Sequence, residues 1–279
     1  MTEIAEKDLP FVEGDLAYLV PMDEKPYTYT YDRPGITKRT NQAFENRKLP
    51  IHDVRPLADH LSVDREGFQL LNRPSAVHDF YDEAELRRVY YPETEQIIAE
   101  ATGADRVVVF DHTIRRRISG VADRTAGQPR QPATHIHNDY TLKSGPQRVR
   151  DVMGGEAETL LKKRFALINL WRPITGPLRD APLAFSDART VADSDFIASE
   201  LIYPDRTGEI FQVVWKPSHR WFYVPDMQPQ EALLIKCYDS LTDGTARFSA
   251  HTAFVDPTMP KDALPRESIE IRTIAFYDA

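Results

Sequence analysis

The chain is 279 residues long, with 41% apolar and 28% charged side chains, enough apolar material to close a sizeable core. Its 35 basic and 43 acidic residues leave a net charge of −8, which argues against nucleic acid and anionic membrane as partners, because both call for a basic face. The single cysteine, Cys237, excludes an internal disulfide framework and fits a reducing, cytoplasmic setting, and no apolar run approaches the roughly 20 residues that span a bilayer.

The first residues, MTEIAEKDLP, are acidic and lack the apolar stretch of a leader peptide. Leu16 to Val20 and Tyr27 to Tyr31 read as strands separated by Pro21 and Pro26. A helix is expected over about 83–102, with Asp82 as its N-cap, Gly103 as its stop and Pro92 as a kink or division. From residue 105 the pattern turns to strands: Val107–Phe110, Thr134–Tyr140, Phe165–Ile174, Pro182–Ser186, Ile210–Trp215, Trp221–Val224, Ala232–Cys237 and Ile269–Phe276. One polar segment, about 146–163, is helical in character. With 21 prolines against 12 glycines, a helical bundle is excluded, since proline removes a donor and breaks helices. The expected fold is mainly β with flanking helices, a double-stranded β-helix (jelly roll, cupin-like) over about 105–279. Residues 1–104 form an N-terminal elaboration around it, and no linker divides the chain, so residues 1–279 read as a single domain.

The segment Thr134-His135-Ile136-His137-Asn138-Asp139-Tyr140 carries the first chemical signal. Alternate residues of a strand share a face, so His137 and Asp139 can offer an imidazole nitrogen and a carboxylate oxygen to one ion. These are two corners of the two-histidine, one-carboxylate triad of non-haem iron(II), which leaves coordination positions open for O2 and a co-substrate. A His-x-Asp triplet alone is weak, and a surface loop is its usual meaning. The third ligand must come from elsewhere. His219, in Lys216-Pro217-Ser218-His219-Arg220, reads as an exposed or turn-capping histidine, so His251 is favoured.

The last strand adds Arg266, Ser268, Glu270 and Arg272 on one face. A guanidinium suits bidentate capture of a carboxylate, and a hydroxyl adds a donor, so this face can anchor the distal carboxylate of 2-oxoglutarate. The plainer alternative is that Arg266 and Arg272 are solvated strand charges paired with Glu270.

These features coincide with a known group. Asn72-Arg73-Pro74, Val77-His78-Asp79-Phe80-Tyr81, Tyr90-Tyr91-Pro92-Glu93 and Val109-Phe110-Asp111-His112-Thr113 carry the likeness. So do His137-Asn138-Asp139-Tyr140-Thr141, Asn169-Leu170-Trp171-Arg172-Pro173, His219-Arg220-Trp221, Asp239-Ser240, His251-Thr252-Ala253-Phe254 and Arg266-Glu267-Ser268. Over roughly residues 70–279 the chain resembles the hydroxylase/desaturase family of iron(II)- and 2-oxoglutarate-dependent oxygenases. The resemblance implies His137, Asp139 and His251 as iron ligands and Arg266 with Ser268 as the co-substrate anchor. It implies hydroxylation, desaturation or another C–H oxidation of a small secondary metabolite, with Fe(II), 2-oxoglutarate and O2 required. Two other readings stay open: a cupin-like metalloenzyme that does not use 2-oxoglutarate, and a non-catalytic partner in a two-protein oxygenase. A homodimer is also left open.

Several residues carry a functional and a plainer reading together. Asn169 and Arg272 belong to the co-substrate set, although Asn169 could equally be a core amide. Tyr140, Trp171, Trp221 and Tyr223 can wall an apolar substrate, though aromatic residues on strands usually pack in cores. His135 reads as a core residue or a support to the ligands, and His78 and His112 as structural. Arg172 is expected in an ion pair outside the barrel. Arg115, Arg116 and Arg117 read as a solvated basic run.

Overall fold

A computed structural model describes residues 8–278 except 33, 34, 36, 124 and 126; the segment 1–7, on which most of the reading of the acidic start falls, lies outside the described residues. Its strands are β1 (Phe11–Leu19), β2 (Tyr27–Tyr29), β3 (Phe44–Asp53), β4 (Phe68–Asn72), β5 (Arg106–Arg116), β6 (His137–Asn138) and β7 (Phe165–Pro173). They continue with β8 (Leu183–Ser186), β9 (Phe196–Ile202), β10 (Thr207–Val213), β11 (Trp221–Tyr223), β12 (Glu231–Asp239), β13 (His251–Ala253) and β14 (Glu267–Phe276). Two sheets result, one of nine strands ordered β1-β3-β11-β8-β13-β6-β10-β9-β2 and one of five ordered β4-β12-β7-β14-β5. The layers β8-β13-β6-β10 and β12-β7-β14-β5 form the double-stranded β-helix that was expected.

The strand inventory needs correction. Trp221–Val224, expected within the barrel, supplies β11, which lies outside those layers and joins β8 to β3. The strands β3, β4, β9 and β13 were not anticipated. β13 takes the barrel position that β11 was expected to fill, and the expected strand Thr134–Tyr140 shortens to the two residues of β6.

The helix before β5 starts at Asp82, whose side chain accepts from the Ala84 and Glu85 amides. It runs through α1 (Glu83–Glu85), a π turn Leu86–Tyr90 and α2 (Tyr91–Thr102), and ends at Gly103 with φ 70°. Pro92 has no N–H to donate, and the chain divides just before it: Tyr91 N–H reaches back to the Leu86 carbonyl instead. Leu86, Tyr90, Ile97 and Ile98 form a cluster with Ala166, Ile168 and Leu170 of β7 and Ile269 and Ile271 of β14. Burial of each such side chain contributes about 1.5–3 kcal/mol. The opposite face of the same strands, with Leu167, Trp171 and Ile274, belongs to the main core. All nine residues of β7 are therefore buried. Downstream, α3 (Ser144–Met153) and α4 (Ala157–Leu160) fill the expected helical segment.

Candidate active site

The His-x-Asp motif lies where β6 ends. Within β6, His137 pairs with Gln212 of β10 on one side and His251 of β13 on the other, so the register itself brings the two histidines together. Their ring centroids are 4.6 Å apart. The ligand atoms of His137, Asp139 and His251 all lie within 4.8 Å of one another.

Each imidazole is oriented by a main-chain carbonyl. His137 Nδ1 lies 2.9 Å from the His135 oxygen and His251 Nδ1 lies 3.1 Å from the Ser249 oxygen. A carbonyl only accepts, so both Nδ1 atoms carry a proton and Nε2 is the nitrogen each ring has left to offer a metal. Among the described residues, His251 Nε2 is buried without a hydrogen-bond partner. Burial, reinforced by His251, pushes the His137 pKa down to about 3, so its ring is neutral. Burial would raise the Asp139 carboxyl, but Arg272, the two imidazoles and the Asn169 amide outweigh it and hold it well below the usual carboxylate range. Two imidazoles and one carboxylate, with a buried nitrogen left unsatisfied, suit a divalent cation.

Arg266 and Ser268 are buried together, with the Arg266 Nε donating to the Ser268 hydroxyl at 3.0 Å and Nη1 to the Ala181 carbonyl at 2.8 Å. Arg272 divides its contacts among Glu270 (2.5 Å), Thr113 (2.8 Å), Asp111 (3.2 Å) and Asp139 (3.4 Å). Arg272 pairs with Glu270 as the plainer reading had it, but both side chains are largely buried rather than solvated. Asn169 donates to Asp139 Oδ2 at 2.8 Å.

Other expectations are redirected. His219 is no exposed turn residue: its Nε2 meets Asp195 at 3.1 Å and its Nδ1 the Tyr18 hydroxyl at 3.2 Å, both in the core. His135 is neither core nor ligand support through its ring, which is exposed and stacks on Phe44 at 3.7 Å. Arg172 is buried over the Tyr90 ring and donates to the Pro229 carbonyl rather than forming an ion pair. Arg115 is not a solvated charge. It stands next to the end of β5 opposite Ser268, donates to the Gln131 carbonyl, and is buried within reach of the charges of Glu270 and Arg272. His112 is structural as expected, bonded to the Tyr91 hydroxyl at 2.8 Å.

Of the aromatic candidates, Trp171 lies beneath Arg266, and Tyr140 is buried just past the His-x-Asp motif. Trp221 donates instead to Tyr18, and Tyr223 packs on Phe254. Sequence reasoning missed Asn138, whose amide donates to the Tyr140 and Cys237 carbonyls and ties β6 across to β12. Its position between two proposed ligands, on the opposite face of a strand, was the available signal.

A family model described as "Oxidoreductase/YMDC permease-like domain" matches residues 16–276. The hydroxylase/desaturase efuI of Hormonema carpetanum is 32% identical, over 88% of this chain and 89% of its own. The chain belongs to this oxidoreductase family and, within it, to the hydroxylase/desaturase group of iron(II)- and 2-oxoglutarate-dependent oxygenases. The Fe(II)/2-oxoglutarate-dependent dioxygenase nvfI of Aspergillus novofumigatus is 31% identical over 97% of this chain and 96% of its own. The solved structure of the iron and alpha-ketoglutarate-dependent endoperoxidase NvfI superposes with a TM-score of 0.86 at 30% identity, covering 96% of this chain and 98% of that one. The family assignment, the jelly-roll fold and the dependence on Fe(II), 2-oxoglutarate and O2 all agree with the expectations from sequence. No helix among the described residues is long and apolar enough to cross a membrane.

Proposed function

We propose that His137, Asp139 and His251 hold the iron(II) of this oxygenase and that Arg266 with Ser268 receives the distal carboxylate of 2-oxoglutarate. The observation that carries this reading is the unsatisfied, buried His251 Nε2 placed among the ligand atoms of His137 and Asp139. Iron(II) bound there supplies the coupling of O2 and 2-oxoglutarate to oxidation of a substrate C–H bond. The protein's own part is to orient both imidazoles, keep Asp139 ionised, and present a guanidinium and a hydroxyl to the co-substrate. Trp171, stacked with Arg266, shields that guanidinium from water. Tyr140 is read as part of the substrate wall.

The substrate class is a small secondary metabolite, hydroxylated, desaturated or otherwise oxidised at carbon. The names of the relatives support this, since they span hydroxylase/desaturase, endoperoxidase and an aspirochlorine biosynthesis protein. We read the chain as a single oxygenase domain working in the cytoplasm without nucleic-acid or membrane partners, a reading supported by the net charge and the single buried thiol. A homodimer is compatible with this and is not required, because one chain brings the proposed site residues together.

Anaerobic titration of the apoprotein with iron(II) and 2-oxoglutarate tests the proposal. A weak visible charge-transfer band is expected, and it should vanish in Asp139→Ala. Folded protein that binds iron and gives no band would overturn the co-substrate assignment.

A further inference from the structure

We infer that Asn169 is a positioning residue for the metal site, pinning Asp139 so that a single carboxylate oxygen faces the two histidines. The inference rests on the ligand reading above and goes beyond it, because Asn169 then acts on the metal through Asp139 rather than on the co-substrate. The two oxygens of Asp139 have different neighbours. Oδ1 lies 3.6 Å from His137 Nε2, whereas Oδ2 accepts from Asn169 Nδ2 at 2.8 Å and is approached by Arg272 Nε at 3.4 Å. An ionised carboxylate only accepts, so the Asn169 amide must present its nitrogen to Asp139. Among the described residues, the other amide atom, Oδ1, is buried without a hydrogen-bond partner.

The supports of the two residues are unequal. Asp139 follows the two-residue strand β6 and has no ladder partner, since the register of β6 covers only His137 and Asn138. Asn169 sits in the middle of β7 and is paired on both sides, with Ile235 of β12 and Arg272 of β14. It is fully buried. A weakly held ligand is thus tied to a rigid strand of the opposite sheet. Hydrogen bonds of this kind orient a ligating carboxylate, and their loss weakens metal affinity by about 10–100-fold.

The test is cobalt(II) titration of the apoprotein, followed by visible absorption in the absence of 2-oxoglutarate. Asn169→Leu keeps the volume and removes the donor, while Asn169→Ala removes both. Both variants should raise the cobalt(II) dissociation constant by about 10-fold or more and alter the absorption bands, with the metal-free protein still folded by thermal melting. Wild-type affinity and spectrum in Asn169→Leu would overturn the inference and leave Asn169 a packing residue. Asn169→Ser, which cannot span the same distance, takes the place of Asn169→Leu should that variant not fold. An Asp139→Ala control separates the two claims: if it binds cobalt(II) like wild type, the ligand reading falls and takes the inference with it.

Discussion

The Arg266 guanidinium lies over the Trp171 ring, 4.9 Å from its centroid, and bonds a hydroxyl and a carbonyl rather than a carboxylate. Burial, reinforced by the charge of nearby Arg115, pushes the Arg266 pKa down to about 9. A buried cation without an anion costs free energy that an incoming carboxylate would recover. Arg266→Ala is therefore expected to raise the KM for 2-oxoglutarate by about 10–100-fold, the equivalent of about 1.5–3 kcal/mol. Arg266→Lys should rescue only part, because an ammonium lacks the planar fork. Unchanged co-substrate KM in both variants would remove Arg266 from the anchor.

His219 and His251 should separate cleanly. His251→Ala is expected to abolish metal binding, whereas His219→Ala should leave it intact and cost stability on the order of 2 kcal/mol by stranding the buried Asp195. Metal analysis and urea unfolding of the two variants provide the check.

The same histidine sets a pH dependence. Burial lowers the His219 pKa despite the opposing charge of Asp195. The unfolded chain takes up the proton near pH 6.5 and the folded chain only at lower pH. The contribution of His219 is thus present above that range and declines as pH falls through it. Wild type should lose urea stability between pH 7.5 and 5, and His219→Gln should lose less. Equal losses would refute the assignment.

Lys236 is fully buried between Asp64, at 2.7 Å, and Asp239, at 2.6 Å, with Arg164 bonded to the same two carboxylates. Replacing it by Met leaves Asp239 buried with one cation fewer and is expected to cost about 3 kcal/mol. Chemical denaturation at neutral pH measures it.

Gly145 is the close-approach position of α3. A Cβ there would meet the Tyr238 ring at 2.6 Å, so Gly145→Ala should destabilise by about 1–3 kcal/mol despite the better helix propensity of alanine. A melting temperature at or above wild type would show that the ring can move aside.

The proposed metal site was more legible than the strands that hold it. His137 and Asp139 stand two apart, a local pattern that any extended backbone turns to one side. His251 was harder to place, because β13 is three residues long, too short to show alternation, and follows a polar loop. Trp221 to Val224 has the β-branched and aromatic content of a barrel strand, yet its place depends on pairing with β3, a largely polar strand that carries Pro50 within it. Arg115 was hidden among three consecutive arginines, and only the ladder with β14 shows that it stands opposite Ser268. The contact of Arg272 with Asp139 joins residues 133 positions apart, a relationship no local pattern encodes.

The face-to-face stack of Phe44 on His135 joins the antiparallel pair β1–β3 to the segment that leads into the proposed metal ligands. Phe44 comes from β3, while His137 and His251 are fixed by the pairing of β6 with β13, to which β3 contributes nothing. The pair also reaches that segment through β1, where the Ile136 amide donates to the Ala17 carbonyl at 3.1 Å, so a change at Phe44 alters the surface beside the proposed site while leaving the β6–β13 register in place.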